Sequence, residues 1–341
     1  MIRYGIIGTG RMGKNHAGVI AKIPEAKVTA AYDINPEALD AFCAEYQAAK
    51  CASAEELASH PEVDCVIITS PTYCHQEGIR AAVAAQKPIF CEKALCRTAE
   101  AEQEIREMLT DYPQLFTVGF VRRHMPKSAL VKKLLEQGLI GKIRFCNVEL
   151  PLGCYRRMPG DWFADFSLCG GVIVDMLAHH IDLANWFFGK AQTVYARSVL
   201  LDPAQPKPAD YAAGIVTYEN DVIVNMTCTW ARSGRNGEMM EIYGDNGYLA
   251  ITGEEQVTYY PLEGEPVKLD PEEELKKKNT EVDKDLNEVS FGNSFQLEFQ
   301  HLTDALQGKE TALPTLTDAL NSLQISFAMI DSAKTGKVIT L

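Results

Sequence analysis

The stretch DMLAHHID, residues 175–182, carries two carboxylates and two adjacent histidines. Residues three and four apart lie on one face of an α-helix, so the spacing predicts that Asp175, His179 and Asp182 share a face. His180 is rotated by about 100° from its neighbour and is predicted to be structural. A carboxylate and an imidazole one turn apart can orient a substrate hydroxyl and take its proton. Asp175 and His179 are therefore candidate catalytic residues.

The same spacing suits metal ligands, so a metal site is the alternative interpretation of Asp175 and His179. A zinc site normally needs at least three protein ligands. Asp182 lies about one helical turn further along, but no second paired motif stands elsewhere in the sequence. The sequence favours catalysis over metal binding, and we predict no metal.

A glycine-rich loop near the start of the chain is typical of dinucleotide binding. The residues GTGRMG match GxGxxG and stand between a strand-like run, RYGIIG, and a helix-like segment, RMGKNHAGVIAKI. The three glycines of such a loop allow a tight turn, close approach of the backbone to a pyrophosphate, and close packing of helix on strand. Free N–H groups at the helix start can then bind phosphate. The predicted cofactor-binding residues of this loop are Gly8, Gly10, Arg11, Met12 and Gly13.

An acid at the end of the second predicted strand indicates which dinucleotide binds. Asp33 ends the run KVTAAYD, twenty positions after Gly13, and Ile34 follows it. A carboxylate there accepts hydrogen bonds from the adenosine ribose of NAD and repels the 2′-phosphate of NADP. We predict NAD as the preferred cofactor, with Asp33 and Ile34 among the residues that bind it.

Strand-like and helix-like segments alternate over the first third of the chain, which predicts an N-terminal Rossmann domain with a doubly wound parallel sheet. Ligands of such sheets bind at the carboxyl ends of the strands. The segments TSPTYCH and CEKA each follow a predicted strand and should line the cofactor. The residues predicted to bind it there are Ser70, Pro71, His75, Glu92 and Lys93.

The pattern changes beyond Gly119. Two helical segments and several strand-like runs with short turns predict a C-terminal α+β domain built on an open, largely antiparallel sheet. We place the NAD-binding domain at residues 1–121 and the second, substrate-binding domain at 122–341. A C-terminal helix is expected to pack across both domains. The charged stretch 263–290 is expected to be an exposed excursion.

Composition limits the partners. The formal net charge is -13, which argues against nucleic acid or anionic membrane. The apolar run and the glycine loop directly follow the first Met, leaving no space for a leader peptide. The ten cysteines include no CxxC pair, and so many unpaired thiols suit a reducing compartment. We predict a cytoplasmic protein with a small-molecule substrate.

Three features together resemble the Gfo/Idh/MocA family of NAD(P)-dependent sugar and polyol dehydrogenases: the glycine loop, the Glu92-Lys93 pair, and Asp175-x3-His179 after Gly-Gly. VGFVRRH and DWFADFSLCGGVIVDMLAHHIDLANWFFG resemble its inositol 2-dehydrogenase branch. The resemblance implies that Lys93, Asp175 and His179 form the catalytic set. It also implies a homodimer or homotetramer, formed through an open sheet surface of the second domain.

One departure from the family pattern concerns the residue after Lys93. The family carries Glu-Lys-Pro, whereas this chain has Ala94 in the third position. A cis bond costs about 2.5–4 kcal/mol when no proline follows. We therefore predict a trans Lys93–Ala94 bond and a slightly altered placement of the lysine.

These residues supply what hydride transfer from a ring hydroxyl needs. Lys93 can stabilise the developing oxyanion, and His179 can accept the proton while Asp175 orients both. We predict an NAD-dependent dehydrogenase of a cyclic polyol or sugar, with an inositol as the first substrate. Arg122 and Trp162 are predicted to line the substrate cleft. Further candidates for the cleft are Arg123, Arg156 and Arg157.

Two alternatives use the same fold differently. A transient-redox glycosidase would oxidise and re-reduce its sugar, releasing an aglycone without net NADH. A nucleotide-binding sensor would bind NADH tightly without turnover. Such a sensor could dispense with Lys93 and His179, and both are present.

Overall fold

The computed structural model describes most of the chain. The described residues are 1–153, 162, 165–200, 210–232, 237–252, 256–276 and 294–341. They form two compact units: unit 1 comprises Met1–Val121 and Gly292–Leu323, and unit 2 comprises Arg122–Phe291 and Gln324–Leu341. The first change of unit falls between Val121 and Arg122. The segment 292–323 groups with unit 1, although the sequence assigned it to the second domain.

The strands of the described residues are β1 Ile2–Ile7, β2 Ala26–Tyr32, β3 Ala49–Lys50, β4 Cys65–Ile68, β5 Ile89–Glu92, β6 Phe116–Gly119, β7 Ile143–Gly153, β8 Ala191–Val199, β9 Tyr211–Tyr218, β10 Ile223–Arg232, β11 Met239–Gly244, β12 Gly247–Thr252, β13 Gln256–Pro261, β14 Val267–Leu269 and β15 Ile339–Thr340.

The helices are α1 Arg11–Ile20, α2 Pro36–Tyr46, α3 Ala54–Ser59, α4 His75–Ala84, α5 Ala99–Leu109, α6 Pro126–Glu136, α7 Phe166–Cys169, α8 Ala178–Phe188, α9 Pro271–Lys276, α10 Ser294–Leu306 and α11 Leu316–Thr335. The division between the two units falls within α11.

Unit 1 contains the predicted Rossmann sheet. Its six strands are all parallel, in the order β3-β2-β1-β4-β5-β6. β4 and β5 are buried along their whole length, as strands are when helices cover both faces of a sheet. α2, α3 and α5 begin at side-chain caps from Asn35, Ser53 and Thr98, which satisfy N–H groups that a helix start leaves free.

α10 belongs to the core of unit 1 although it is far along the chain. Its Phe299 and Leu302 are buried in one cluster with Tyr4 and Phe90. The Tyr4 hydroxyl also lies 2.9 Å from the Thr303 hydroxyl. Burial of this apolar face explains why the segment groups with the N-terminal unit.

Unit 2 contains the predicted open sheet. Its nine strands have the order β14-β13-β12-β11-β7-β10-β9-β8-β15. Every neighbouring pair is antiparallel except β7 with β10. Burial alternates along β9 and β11, so one face carries the core. The other face exposes Phe145, Ile215 and Ile223.

The helix that carries DMLAHHID is irregular at its start. Val172–Leu177 forms a π-helical turn, and α8 begins only at Ala178. Backbone hydrogen bonds in a π turn span five residues instead of four. The α-helical spacing from which a shared face was predicted therefore does not hold between Asp175 and His179. Such turns are rare and occur frequently at functional sites.

The charged stretch predicted as an excursion contains two short elements. Within residues 263–276 lie β14 and α9, and most side chains there are exposed. Both elements were missed because the charged residues of this stretch show no apolar periodicity. Residues 277–290 lie outside the described part of the chain.

One described helical stretch, Ser167–Phe188, has the length and composition to cross a membrane. However, 78% of its most apolar window is buried inside the protein. The core helix of a soluble protein has the same two properties, so the stretch is weak support for a membrane span.

Candidate functional site

The glycine loop of unit 1 has the shape that a dinucleotide needs. Gly8 has a φ of +98°, and a side chain there would meet the Ser70 backbone nitrogen at 2.5 Å. A Cβ on Gly13 would come within 2.2 Å of the Gly8 carbonyl oxygen, so helix and strand touch. Around Gly10 nothing lies within 4 Å of a Cβ position. The loop is thus tight at both ends and open in the middle.

The open middle of the loop coincides with the start of α1. Gly10 is the residue before the helix, and no side chain caps the N–H groups there. Uncapped N–H groups at a helix start form an anion site. These residues therefore fit the pyrophosphate of a dinucleotide. Arg11 and Met12 lie in the first turn of the helix.

Asp33 lies beside the glycine loop. Its Oδ2 accepts hydrogen bonds from the Thr9 backbone N–H at 2.6 Å and from the Thr9 hydroxyl at 2.9 Å. Its Oδ1 accepts from the Asn35 N–H at 2.8 Å, and Ile34 is 85% exposed. The carboxylate is held at the end of β2, the position from which it would reach a ribose.

His75 joins the loops that follow β4 and β5. The ring is buried; Nδ1 lies 3.2 Å from the Leu95 carbonyl oxygen and Nε2 lies 2.9 Å from that of Ser70. Burial lowers the pKa of His75. Its nitrogens face backbone atoms in this arrangement, so its clearest role is to fix these loops. The buried Ser70 hydroxyl has no partner among the described residues, and Pro71 follows it.

Glu92 holds the turn that carries Lys93. Its Oε1 lies 2.7 Å from Nε2 of His16, and its Oε2 accepts a hydrogen bond from the Lys93 backbone N–H at 3.1 Å. The His16 ring is fully buried and Glu92 nearly so, whereas Lys93 is half-buried. The carboxylate of Glu92 therefore links the Lys93 backbone to His16 of α1.

The peptide bond between Lys93 and Ala94 is cis, so the prediction of a trans bond was wrong. The trans preference is a property of the isolated peptide. Here Ala94, Leu95 and Cys96 are all buried, and the surrounding packing decides the conformation.

In unit 2, Asp175 lies in the π-helical turn and is 7% exposed, and His179 is half-buried in the first turn of α8. Gly170 and Gly171 precede the turn with φ values of +81° and +72°. A Cβ on Gly170 would come within 2.8 Å of the Val174 Cβ. The paired glycines thus permit the close start of this helix.

Arg122 meets an acid that sequence analysis missed. Its guanidinium donates to Glu238, whose Oε1 also lies 3.1 Å from Nε2 of buried His180 and 4.0 Å from the Lys127 ammonium. Burial raises the pKa of Glu238, but the His180 hydrogen bond and the Arg122 charge outweigh it and hold that pKa well below its usual range. Burial lowers the pKa of His180 to about 4.

Arg123 and Asp182 form a second ion pair, which is almost fully buried. The guanidinium donates to both carboxylate oxygens, at 2.8 and 2.6 Å. Arg123 precedes α6, so the partner of Asp182 lies 59 residues earlier in the chain. Trp162 is part-buried and packs against the core of unit 2. Arg156 and Arg157 lie outside the described residues.

Among the described residues, no group of three or more His, Cys, Asp and Glu side chains could hold a metal ion. Lys93 belongs to the first unit, whereas Asp175 and His179 belong to the second.

Two family models match nearly the whole chain. Residues 2–120 match the NAD-binding Rossmann fold of the Gfo/Idh/MocA oxidoreductase family, and residues 132–341 match the C-terminal alpha/beta domain of the same family.

Among individual relatives, the inositol 2-dehydrogenase of Rhizobium meliloti is 26% identical over 262 residues, which are 75% of this chain and 77% of that protein. The inositol 2-dehydrogenase of Acidothermus cellulolyticus is 28% identical over 263 residues, 75% of this chain and 74% of that protein.

Solved structures show the same fold. Levoglucosan dehydrogenase, in complex with NADH and levoglucosan, matches with a TM-score of 0.87 at 22% identity over 99% of both chains. The WlbA dehydrogenase from Bordetella pertussis, in complex with NADH and UDP-GlcNAcA, matches with a TM-score of 0.86 at 22% identity, over 100% of this chain and 97% of that one. The predicted fold class is confirmed.

Proposed function

The chain belongs to the Gfo/Idh/MocA family of oxidoreductases, and we propose that it is an NAD-dependent dehydrogenase that oxidises a ring hydroxyl of a cyclic polyol or sugar. The observation that carries the proposal is the open cradle at Gly10, next to an uncapped helix start. The relatives named as inositol 2-dehydrogenases make an inositol the first substrate to try.

The chain's own residues would bind, orient and deprotonate the substrate. His179 accepts the hydroxyl proton, because an imidazole titrates near neutral pH. Lys93 stabilises the oxyanion that develops, and Asp175 orients the hydroxyl and the imidazole. When bound, the nicotinamide cofactor supplies the hydride acceptor. Arg122 and Trp162 are proposed to line the substrate cleft.

The first experiment measures NADH formation by the purified protein with NAD and a panel of inositols, hexoses and uronic acids. We expect turnover on one class, reduced about 10²–10³-fold in Lys93→Met and about 10²–10⁴-fold in His179→Ala. Matched controls are Lys190→Met, whose lysine is an exposed partner of Glu219, and His60→Gln at the end of α3. Both controls should turn over normally.

Other outcomes would point away from a dehydrogenase. Release of an aglycone from a glycoside without net NADH would establish the transient-redox glycosidase instead. Tight NADH binding with no turnover on any polyol or glycoside would establish the sensor. Equal activity in Lys93→Met and wild type would refute the assigned role of the lysine.

The cofactor site is tested by two glycine variants. Gly10→Ala places a methyl group in open space and should weaken NADH binding without changing Tm. Gly13→Ala forces a Cβ against the Gly8 carbonyl oxygen and should lower both the affinity for NADH and the Tm.

We propose NAD as the preferred cofactor because of Asp33. Asp33→Ser should raise NADP use relative to NAD, and an unchanged ratio would contradict this preference.

We also propose a homodimer or homotetramer formed through the open face of the nine-stranded sheet. A row of stacked rings crosses this face, with centroid distances of 4.4 Å from Phe145 to Tyr243, 4.7 Å from Tyr243 to Tyr248 and 4.4 Å from Tyr248 to Tyr260. Neighbouring Ile223 is 44% exposed. Tyr243→Glu should dissociate the oligomer in sedimentation, because it places a charge in an apolar contact.

We also propose a cytoplasmic location and no nucleic-acid or membrane partner. The net charge of -13 supports them, because polyanions and anionic lipids would be repelled. Retention of the protein on heparin or on anionic vesicles at physiological salt would contradict them.

A further inference from the structure

A carboxyl group without a hydrogen-bond partner is buried in unit 1. Glu298 of α10 is 3% exposed, and neither of its carboxyl oxygens has a partner among the described residues. An isolated ionised carboxylate is very costly in such surroundings, and the group neutralises instead. Burial raises the pKa of Glu298 well above its usual range, and the nearby Glu92 raises it further.

Glu92 is the acid that faces it, and its two oxygens are engaged. Oε1 contacts His16 of α1, and Oε2 accepts from the Lys93 backbone N–H. One carboxylate thus ties the helix after the glycine loop to the turn that carries Lys93. Both contacts are strongest when Glu92 is ionised, because a charged acceptor makes the stronger hydrogen bond.

Aromatic rings surround the His16 ring that contacts Glu92. The His16 ring lies 5.6 Å from Phe90, 5.6 Å from Phe295 and 4.7 Å from Phe299, measured between centroids. Phe295 and Phe299 lie on α10, as does Glu298. Apolar walls lower the local dielectric constant, which strengthens repulsion between the two carboxylates.

We propose that Glu298, in its protonated form, is a positioning residue that acts through Glu92 on Lys93. A neutral Glu298 lets Glu92 keep its full charge for His16 and for the Lys93 backbone. If Glu298 ionises, two carboxylates share one enclosed space, and Glu92 can no longer hold the lysine turn in place. The role in the reaction rests on the proposed function of Lys93.

The charge balance around Glu298 involves few groups. Glu92 on β5 is the charged group that acts on Glu298. His16 on α1 contacts Glu92, and Tyr4 on β1 lies in the same buried cluster as Phe299 of α10. The Tyr4 hydroxyl is engaged with Thr303, and burial raises the pKa of Tyr4 well above its usual range. The His16 ring makes its contact with Glu92. Glu298 is left to be neutralised by a proton.

The test of the protonated state compares the Tm of Glu298→Gln with that of wild type at several pH values. Unfolding releases the proton above the ordinary pKa of a glutamate, so the wild type loses stability as pH rises toward the raised pKa of Glu298. Gln is a neutral isostere without this loss. We expect the Tm difference, variant minus wild type, to grow with pH, and a constant difference would overturn the protonated state.

The matched control is Asp304→Asn on the same helix. Asp304 is half-buried and lies 2.6 Å from the Lys309 ammonium. Burial raises the pKa of Asp304, but its hydrogen bonds from Lys309 and Gln300 outweigh it and lower that pKa. It contributes stability above the ordinary pKa of an aspartate, which is lost at acid pH. The Tm of Asp304→Asn minus that of wild type should therefore not become more positive as pH rises.

The positioning role is tested by the pH profile of kcat/KM on the substrate found above. Glu298→Gln should equal wild type on the plateau and keep its activity to higher pH, with the change in kcat and not in KM. Identical profiles, or a loss on the plateau, would overturn the role. Absence of turnover in the wild type would instead refute the proposed function, while the Tm series would still decide the state of Glu298.

Discussion

Both units bury carboxylates, but the groups that neutralise them differ. In unit 1, Glu92 contacts His16, whose ring packs on Phe299, and Glu298 has no hydrogen-bond partner among the described residues. In unit 2, Glu238 is paired with Arg122, and Asp182 accepts two hydrogen bonds from Arg123. In unit 1 the negative charge is neutralised by bound protons, whereas in unit 2 it is neutralised by arginines, which stay charged.

The same residue type therefore has opposite properties in the two units. The pKa of Glu298 is raised by burial and by Glu92, whereas that of Glu238 is lowered because His180 and Arg122 outweigh burial. An arginine stays charged at every physiological pH, but a buried acid without a cation must hold its proton. The stability of unit 1 should accordingly fall as pH rises, and the stability of unit 2 should fall as pH falls.

The largest effect is expected for Arg123→Leu. The pair with Asp182 is almost fully buried, with side-chain exposures of 6% and 0%. Removing one partner of such a pair leaves an uncompensated charge and costs about 3–5 kcal/mol. A urea titration of the free energy of unfolding measures this loss.

The matched control is Arg123→Leu combined with Asp182→Leu. Replacing both partners by apolar groups should recover much of the loss. A double variant as unstable as the single one would show that packing is lost instead, including the stacking of Arg123 on Trp186 at 5.6 Å.

An intermediate effect, dependent on pH, is expected for His180→Gln. Burial lowers the pKa of His180 to about 4, whereas an unfolded histidine titrates near pH 6.5. Between these values the unfolded chain binds the extra proton, so the wild type gains stability as pH rises, by up to about 1.4 kcal/mol per pH unit. The variant should lack this gain.

The measurement is the difference in unfolding free energy between His180→Gln and wild type from pH 4.5 to pH 7. This difference should widen as pH rises and level off near neutrality. A difference that stays constant would mean that burial does not lower the pKa of His180, because the folded and unfolded chains would then bind the same number of protons. Glu298 contributes stability that is lost as pH rises. The contrast in pH dependence between His180 and Glu298 would then fail.

The smallest effect is expected for Arg144→Met. Arg144 and Asp245 form a bidentate pair of the same type as Arg123 and Asp182, at 2.6 and 2.9 Å, but both side chains are exposed. Solvent and salt screen exposed pairs. We expect a loss far below that of Arg123→Leu, decreasing further in high salt. An equal loss would show that burial does not change how much an ion pair contributes to stability.

Short-range patterns account for what could be predicted. The glycine loop, Asp33 and the Glu92-Lys93 turn each lie within a single strand–loop–helix unit, so periodicity and spacing place them correctly at the ends of the strands. Strand-like runs separated by short turns likewise indicated the sheet of unit 2. These features depend on backbone geometry that neighbouring residues determine.

Long-range contacts account for what was missed. Glu238 lies 116 residues from Arg122 and 58 from His180, and no local pattern around it indicates a part-buried, paired acid. The cis bond at Ala94 was wrongly predicted for the same reason, because local cost was weighed without the packing around it. The π turn at Asp175 was missed because its apolar pattern resembles that of an α-helix.

The sequence by itself determined the alternation of strands and helices around the first sheet, the dinucleotide loop and the family, since these follow from residue types at fixed spacings. The tertiary structure decided which acids are buried and what faces them. A carboxylate's charge depends on the dielectric constant and the cations around it, and those surroundings are assembled from residues far apart in the chain.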